Sequence, residues 1–182
     1  MKITATTILG PLLIQPDVFE DARGFFFESF NQRKFEQLAG ISDTFVQDNH
    51  SGSARNILRG LHYQIRQPQG KLIRVVAGEI FDVALDLRKN SPTLGQWVGN
   101  HLSAENRLMF WIPHGFAHGF LSLTEYSEVI YKTTDYWAPE FERCIVWDDP
   151  GLAIDWPLQG EKPVLSKKDQ EGLPFSKAEL FP

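Results

Sequence analysis

The sequence contains a single cysteine, Cys144, among its 182 residues. One thiol excludes an intramolecular disulfide and a zinc site built from several cysteines. No apolar run approaches the roughly 18–20 residues that a membrane-spanning helix needs. Threonine, glycine and proline interrupt the N-terminal segment, so we expect no secretory signal and no membrane partner. Without a disulfide framework, the expected location is the reducing cytoplasm.

Positive charge is also scarce, with 18 Lys and Arg residues against 23 Asp and Glu residues and a net charge of −5. Nucleic-acid-binding domains usually have a basic balance, so we expect no nucleic-acid partner. A local basic cluster is still able to hold a small anion. The hydrophobic content of 42% and aromatic content of 13% predict a folded chain. The length predicts one domain over residues 1–182, without internal repeats.

Glycine and proline recur about every ten residues, which is typical of an all-β sandwich or barrel. The predicted strands are Ile8–Ile14, a strand after a turn at Asp21–Gly24, Phe45–Ser51, Arg59–Ile65, Lys71–Val76, Gly78–Leu87, Gln96–Leu102, a strand after Pro113 with His118, Phe120 and Ser122 on one face, and Ser127–Thr133. A helix is predicted over Asn31–Ala39, where Asn31 is the N-cap, Gly40 ends the helix, and Phe35 and Leu38 face the core. A second, short helix is predicted near Ser166–Glu171.

The segment Arg59–Lys71 brings two chemically active side chains together. In an extended Arg59–Ile65, the side chains of His62 and Gln64 share one face. A turn at Gln67–Gly70 then leads to Lys71. The pattern predicts a β-hairpin that directs an imidazole and an ammonium group into one cavity, a base beside a cation. A partly exposed histidine on an ordinary hairpin is the alternative interpretation.

Two segments are similar to the two cupin motifs, which together supply three histidines and a glutamate to a metal ion. Here His62, Gln64 and Lys71 occupy the positions of the first motif, and Pro113–His118 matches the second. A protonated lysine repels a divalent cation, and glutamine is a poor ligand for transition metals. We therefore predict an all-β, cupin-type double-stranded β-helix (jelly roll) with a few short helices. Its pocket is expected to hold no metal, with Lys71 providing the positive charge.

Further motifs extend over most of the chain, from about Gly10 to Asp169. They are Arg23–Glu28, Gln47–Asn49, Arg59–Gln64, Pro113–Phe120, Tyr131–Trp137, Trp147–Pro150, Ile154–Pro157 and Leu165–Asp169. Together they resemble the dTDP-4-dehydrorhamnose 3,5-epimerase family. The resemblance implies an isomerase without a cofactor that inverts carbons 3 and 5 of dTDP-4-dehydro-6-deoxy-D-glucose. The implied product is dTDP-4-dehydro-L-rhamnose.

The resemblance also implies catalytic roles. His62 is the base, and Asp169 fixes its tautomer and stabilises the imidazolium, as a carboxylate does in hydrolase triads. Tyr131 is the acid on the opposite face, favoured if neighbouring cations lower its pKa. Lys71 lies near the enolate oxygen, where negative charge develops.

Implied binding residues surround this centre. They are Arg23, Arg59 and Lys168 for the diphosphate, Phe26 or Trp137 for stacking on thymine, Glu28, Gln47 and Asn49 for the nucleotide and sugar, His118 for the sugar, and Glu142 on the nucleotide side. The resemblance also implies a homodimer in which the strand with the Arg23–Glu28 motif reaches into the partner's site, so we expect Arg23 and Glu28 to act there. Asp82 is a candidate support for His62 or Lys71.

Three alternatives stay open on the sequence alone. The first is a sister enzyme that inverts only carbon 3 or carbon 5, or isomerises the ketone. The second is a metal-dependent cupin dioxygenase or isomerase. The third is a non-catalytic sugar-binding cupin. Thymidine or uridine preference, the order of inversion and the pathway that uses the product also stay open.

Overall fold

The computed structural model describes residues 1–182 and contains thirteen strands. The strands are β1 (Lys2–Ala5), β2 (Leu12–Gln15), β3 (Val18–Asp21), β4 (Gly24–Phe27), β5 (Gln47–Ala54), β6 (Leu58–Gln64), β7 (Lys71–Ala77), β8 (Glu79–Asp86), β9 (Trp97–Ser103), β10 (Met109–Ile112), β11 (Phe116–Ser122), β12 (Tyr126–Thr133) and β13 (Glu142–Cys144). The helices are α1 (Gln32–Ala39) and α2 (Lys167–Gln170), with 3-10 turns at 139–141 and 175–177.

Two antiparallel sheets face each other. One has the order β1-β2-β10-β7-β12-β5, the other has the order β13-β6-β11-β8-β9, and β3 and β4 form a separate hairpin. Strands of both sheets contribute apolar side chains, such as Ile73, Phe110 and Phe120, to the buried cluster between them. This two-sheet arrangement is the predicted cupin-type jelly roll.

Strand β8 shows how the alternating pattern builds two layers. Val83 and Leu85 pack in the cluster that the C-terminal segment covers, whereas Ile80 and Ala84 pack between the sheets. Successive side chains of a strand point to opposite faces, so one strand serves both layers. Asp82, on the inner face of β8, reaches the space between the sheets at the same time.

Helix α1 is close to its prediction at both ends. The Asn31 side chain accepts a hydrogen bond from the Lys34 amide at 3.1 Å, and Gly40 ends the helix with a φ of 67°. Phe35 is buried against the six-stranded sheet. The prediction that Leu38 faces the core is wrong, because this two-turn helix buries only the Phe35 side and Leu38 is 55% exposed.

Two strand boundaries also differ from the prediction. The strand predicted over Ile8–Ile14 begins only at Leu12, because the Thr6 hydroxyl donates to the Ile8 and Pro11 carbonyls and holds the segment before it as a loop. The unpredicted β1 precedes this loop and pairs with β2. Strand β5 begins at Gln47 rather than at Phe45 and continues to Ala54.

The predicted hairpin at Arg59–Lys71 is wrong in a way that matters for the site. Strand β6 pairs with β11 and β13, whereas β7 pairs with β10 and β12 in the other sheet. The connecting segment therefore crosses from one sheet to the other. The Gln64 amide nitrogen anchors this crossing by donating to the carbonyls of Gln67 and Tyr136. His62 and Lys71 consequently approach the interior from opposite walls.

Neither helix of the structure has the length and apolar character of a membrane-spanning segment.

Candidate active site

A cavity of about 680 Å³ opens between the two sheets. Its walls come from β5, β6, β7, β11 and β12, and the segment before and within α2 closes one side. Eleven of the fourteen predicted site residues line it: Gln47, Asn49, Arg59, His62, Lys71, His118, Tyr131, Trp137, Glu142, Lys168 and Asp169. The fold thus gathers residues that are separated by more than a hundred positions in the chain.

The His62 imidazole and the Asp169 carboxylate form a tightly held pair. His62 Nε2 lies 2.6 Å from Asp169 Oδ1, and the Gly60 amide donates to the same oxygen at 3.2 Å. The Ser166 hydroxyl donates to Asp169 Oδ2 at 2.6 Å. Burial opposes ionisation of Asp169, but these hydrogen bonds outweigh it and lower its pKa to about 2. The carboxylate is therefore ionised at neutral pH.

The environment of His62 favours a neutral imidazole. Burial lowers the pKa of His62, and the nearby charges of Lys168 and Lys71 add to that effect, while Asp169 opposes it. A neutral ring that donates from Nε2 to the carboxylate carries its lone pair on Nδ1. The pair can therefore act as a general base at neutral pH.

Tyr131 and Lys71 complete the polar floor of the cavity. Burial raises the pKa of Tyr131, Glu142 raises it further, and Arg59 only partly opposes this shift. Lowering of this pKa by neighbouring cations was the condition that favoured Tyr131 as the acid; the Arg59 charge acts in that direction, but burial is the larger effect. Burial lowers the pKa of Lys71 to about 8. At neutral pH the phenol keeps its proton, and most of the Lys71 population is still an ammonium ion.

His118 faces His62 directly across the β11–β6 pairing. Its Nε2 lies 3.0 Å from both carboxylate oxygens of Asp82, so the cavity contains a second His–Asp pair. Asp82 was expected to support His62 or Lys71, but its hydrogen bonds go to His118, and it affects Lys71 only through its charge. Burial raises the pKa of Asp82, while His118 and Lys71 oppose that shift.

The mouth of the cavity combines an aromatic ring with polar groups. Trp137 is 59% exposed, its amide donates to Gln47 Oε1 at 3.1 Å, and its indole N–H donates to Glu142 Oε2 at 3.4 Å. Glu142 also pairs with Lys168 at 2.5 Å. The Gln47 amide donates to Asn49 Oδ1 at 2.9 Å. The mouth therefore offers a stacking surface next to hydrogen-bonding side chains.

Arg59 lies at the β5 side of the cavity. Its Nε donates to Ser53 Oγ and its Nη2 donates to the Gly52 carbonyl, each at 3.0 Å. Both acceptors are neutral, so the guanidinium keeps its full positive charge for an anionic ligand. A fixed guanidinium of this kind suits a phosphate group.

Three predicted binding residues lie outside the cavity of their own chain. Arg23 pairs with Asp21 at the tip of the β3–β4 hairpin. Glu28 pairs with Lys34 at 2.8 Å, and Phe26 is 71% exposed. The hairpin forms its own two-stranded sheet, separate from the two sheets around the cavity.

Some residues of the cavity were missed in the sequence. Ser166 both caps α2 and binds Asp169, and the Ser-x-x-Asp spacing of a capping box would have indicated it. Phe120 lines the cavity two residues after His118. The predicted period-two pattern of β11 already placed Phe120 and His118 on one face.

One group of side chains has the composition of a metal site. Ligand atoms of His62, Cys144 and Asp169 all lie within 4.8 Å of one another. Burial raises the pKa of the Cys144 thiol to about 12. A metal needs the thiolate, so this donor set does not favour an ion. The absence of a metal nevertheless stays a prediction.

Comparison with known proteins identifies the family. The family model described as dTDP-4-dehydrorhamnose 3,5-epimerase matches residues 5–177. The chain belongs to this family. It is 64% identical over 182 residues to the dTDP-4-dehydrorhamnose 3,5-epimerase of Pseudomonas aeruginosa, with 100% of both chains covered. The protein is therefore an epimerase, which is a kind of isomerase, and its sequence similarity to the Pseudomonas aeruginosa enzyme extends over the whole chain.

Solved structures agree with this assignment. The crystal structure of the dTDP-6-deoxy-D-glucose-3,5-epimerase of Legionella pneumophila, in complex with dTDP-4-keto-L-rhamnose, has a TM-score of 0.95 and 53% identity over 98% of this chain and 94% of that chain. A 3'-monoepimerase of Streptomyces bikiniensis in complex with dTDP-quinovose has a TM-score of 0.88 and 32% identity over 94% of this chain and 86% of that chain. One fold therefore serves enzymes that invert different numbers of centres.

Proposed function

We propose that this epimerase inverts carbons 3 and 5 of dTDP-4-dehydro-6-deoxy-D-glucose and releases dTDP-4-dehydro-L-rhamnose. The observation that carries the proposal is one cavity that contains a neutral His62 imidazole held by the Asp169 carboxylate, a protonated phenol at Tyr131 and an ammonium group at Lys71. Whole-chain similarity to the 3,5-epimerase of Pseudomonas aeruginosa supports the choice of substrate. The ketone at carbon 4 acidifies the protons at both centres, so inversion by proton transfer involves no oxidation or reduction and needs no redox cofactor.

The chemistry starts from the ketone at carbon 4, which acidifies the protons on carbons 3 and 5. His62 Nδ1 accepts a proton from one face, and Asp169 stabilises the imidazolium that forms. The resulting enolate oxygen is stabilised by the positive charge of Lys71. Tyr131 then donates its proton to the opposite face of the same carbon, which inverts the centre. His62 then releases its proton and Tyr131 regains one by exchange with solvent, so the same two groups can invert the second carbon.

The nucleotide is bound toward the mouth of the cavity. Arg59 contacts the diphosphate, Trp137 stacks on thymine, and His118 contacts the sugar. Gln47, Asn49, Glu142 and Lys168 supply further polar contacts. Arg23, Phe26 and Glu28 reach the site from the second subunit of a homodimer, because their hairpin lies away from the cavity of its own chain. The enzyme works in the cytoplasm without a metal ion.

Proton NMR in D₂O tests this function directly. Purified enzyme with dTDP-4-dehydro-6-deoxy-D-glucose and EDTA is expected to introduce deuterium at carbons 3 and 5 and to form the L-sugar. Exchange at one carbon only would establish a single-centre epimerase, the alternative suggested by the similarity to the monoepimerase of Streptomyces bikiniensis. No exchange at either carbon would refute the catalytic proposal.

Two variants separate the base from the acid. His62→Ala is expected to reduce exchange at both carbons by about 10²- to 10⁴-fold, the usual contribution of a general base. Tyr131→Phe is expected to reduce inversion more than exchange, because proton removal does not need the phenol. Equal losses of exchange and inversion in Tyr131→Phe would show that Tyr131 is not only an acid.

A further inference from the structure

Phe120 lines the cavity, and the roles described above leave it unused. It lies on β11 opposite Arg59 of β6 and Asp82 of β8. Its ring centroid is 6.2 Å from that of His118, and only 4% of the residue is exposed. It also belongs to the apolar cluster against which Tyr131 packs. Phe120 is therefore a buried part of the cavity wall, next to the groups that face the sugar.

The side chains of the cavity to which catalytic or sugar-contacting roles were assigned are all polar. They are His62, Lys71, His118, Tyr131 and Asp169. Further apolar lining comes from Leu58 of β6 and from a second wall outside the strands, where Ile57 forms a bridge to Val164 and Leu165 follows Val164. Val164 is 54% exposed, which places this wall toward the mouth. Phe120 thus presents an apolar ring next to polar groups in a buried part of the cavity wall.

On the basis of the proposed function, we propose that Phe120 contacts the carbon-6 methyl group of the sugar and selects 6-deoxy over 6-hydroxy substrates. The hexose of the proposed substrate carries hydroxyl groups at carbons 2 and 3 and a ketone at carbon 4. The methyl group on carbon 5 is its one apolar substituent, and carbon 5 is one of the two reacting centres. A methyl group packs favourably on a buried ring.

A 6-hydroxyl group meets a different environment at this position. Burial of a hydroxyl group against an aromatic ring without a hydrogen-bond partner is unfavourable. Apolar pockets discriminate against an added hydroxyl group by about 10- to 100-fold. We expect a preference of that size in kcat/KM for dTDP-4-dehydro-6-deoxy-D-glucose over dTDP-4-dehydro-D-glucose.

The test measures this preference in the wild-type enzyme and in variants. Phe120→Leu shortens the apolar surface, and Phe120→Tyr keeps the ring while adding a hydroxyl group that can bond a 6-hydroxyl group. Each variant is expected to reduce the preference to about threefold or less, with dTDP affinity unchanged. Phe116→Leu is the matched control, because Phe116 lies on the same strand, is also 4% exposed, packs in the same cluster and does not line the cavity.

The following results would contradict the assignment of Phe120 to the carbon-6 methyl group. A preference that is unchanged in both Phe120 variants, or altered equally by Phe116→Leu, overturns the inference. Loss of the preference in Leu165→Ser, with Phe120→Tyr unaffected, would place the methyl group at the outer wall and also overturn it. If the wild-type enzyme binds dTDP but turns over neither sugar, the proposed function itself fails.

Discussion

Burial acts on His62 and Lys71 in the same direction and prepares them for different roles. It lowers both pKa values because each charged form is less well solvated inside the cavity. A lower pKa keeps the imidazole neutral, as a base requires. The same effect lowers the pKa of Lys71 to about 8, so this ammonium group begins to lose its charge just above neutral pH.

The pH dependence of kcat/KM follows from these two shifts. As pH falls, His62 becomes protonated only below its ordinary value of about 6.5, so activity persists into mildly acidic solution. As pH rises through about 8, Lys71 loses its proton, and the activity that depends on its charge decreases. Steady-state kinetics between pH 5 and 10 will show these two limbs.

Lys71→Arg assigns the alkaline limb. Arginine stays protonated over this whole range, so the decrease near pH 8 is expected to move to higher pH, at a lower maximal rate. If the variant keeps a limb near pH 8, that limb belongs to a different group.

The sequence indicated which types of side chain form the site, but it did not indicate all of their hydrogen-bond partners. His62, Lys71 and His118 stand in short motifs, and the side-chain chemistry of Lys71 and Gln64 alone argued against a metal ion. The pairing of Asp82 with His118 joins residues 36 positions apart and depends on the β8–β11 register. No local pattern encodes that register, so Asp82 was assigned to different neighbours.

At the level of secondary structure, local sequence signals predicted the ends of a helix, whereas the connection that crosses from one sheet to the other was predicted wrongly. The cap at Asn31 and the left-handed Gly40 define α1 within a few residues, and both signals were visible. A turn at Gln67–Gly70, in contrast, is compatible with a hairpin or with a crossing between sheets. Pairing of β7 with β10 and β12 decides between them, and these partners follow much later in the chain.

Helix α2 shows how a small element controls the catalytic pair. It has only four residues, and the Ser166 hydroxyl both accepts from the Asp169 amide at 3.2 Å and donates to its carboxylate at 2.6 Å. Ser166→Ala is expected to cost about 1 kcal/mol of stability, typical of a lost N-cap. It also removes the hydrogen bond to Asp169 Oδ2, which helps to hold the carboxylate against His62, so we expect kcat to fall about tenfold, with restoration in Ser166→Thr.

A control separates the loss of a cap from the loss of catalysis. Gly40→Ala strains the left-handed end of α1, which does not line the cavity, and is expected to destabilise the fold by about 1 kcal/mol. Thermal unfolding and kcat are measured for both variants. Equal kcat values for Ser166→Ala and the wild-type enzyme would show that Asp169 does not need this contact.

At the level of the whole molecule, the β3–β4 hairpin has exposed side chains that no contact within a single chain explains. Phe19, Phe25 and Phe26 are exposed by 66%, 59% and 71%. Neighbouring exposed aromatic rings are typical of a surface that contacts another protein. Arg23 stands at the tip of this hairpin with a side chain that is 90% exposed. The proposed homodimer would explain both features, because a second copy of the chain would cover these rings and bring Arg23 to its own cavity.

Complementation between two inactive variants tests this arrangement. If Arg23 acts in the partner's site, a heterodimer of Arg23→Ala and His62→Asn contains one site with both residues intact and one site with neither. Co-expression in equal amounts gives about half heterodimers, so about a quarter of wild-type activity is expected. The matched control combines His62→Asn with Lys71→Met, which lie in one cavity of one chain, and should recover nothing. Recovery no greater than this control, in a sample with confirmed heterodimers, would place the action of Arg23 within its own subunit.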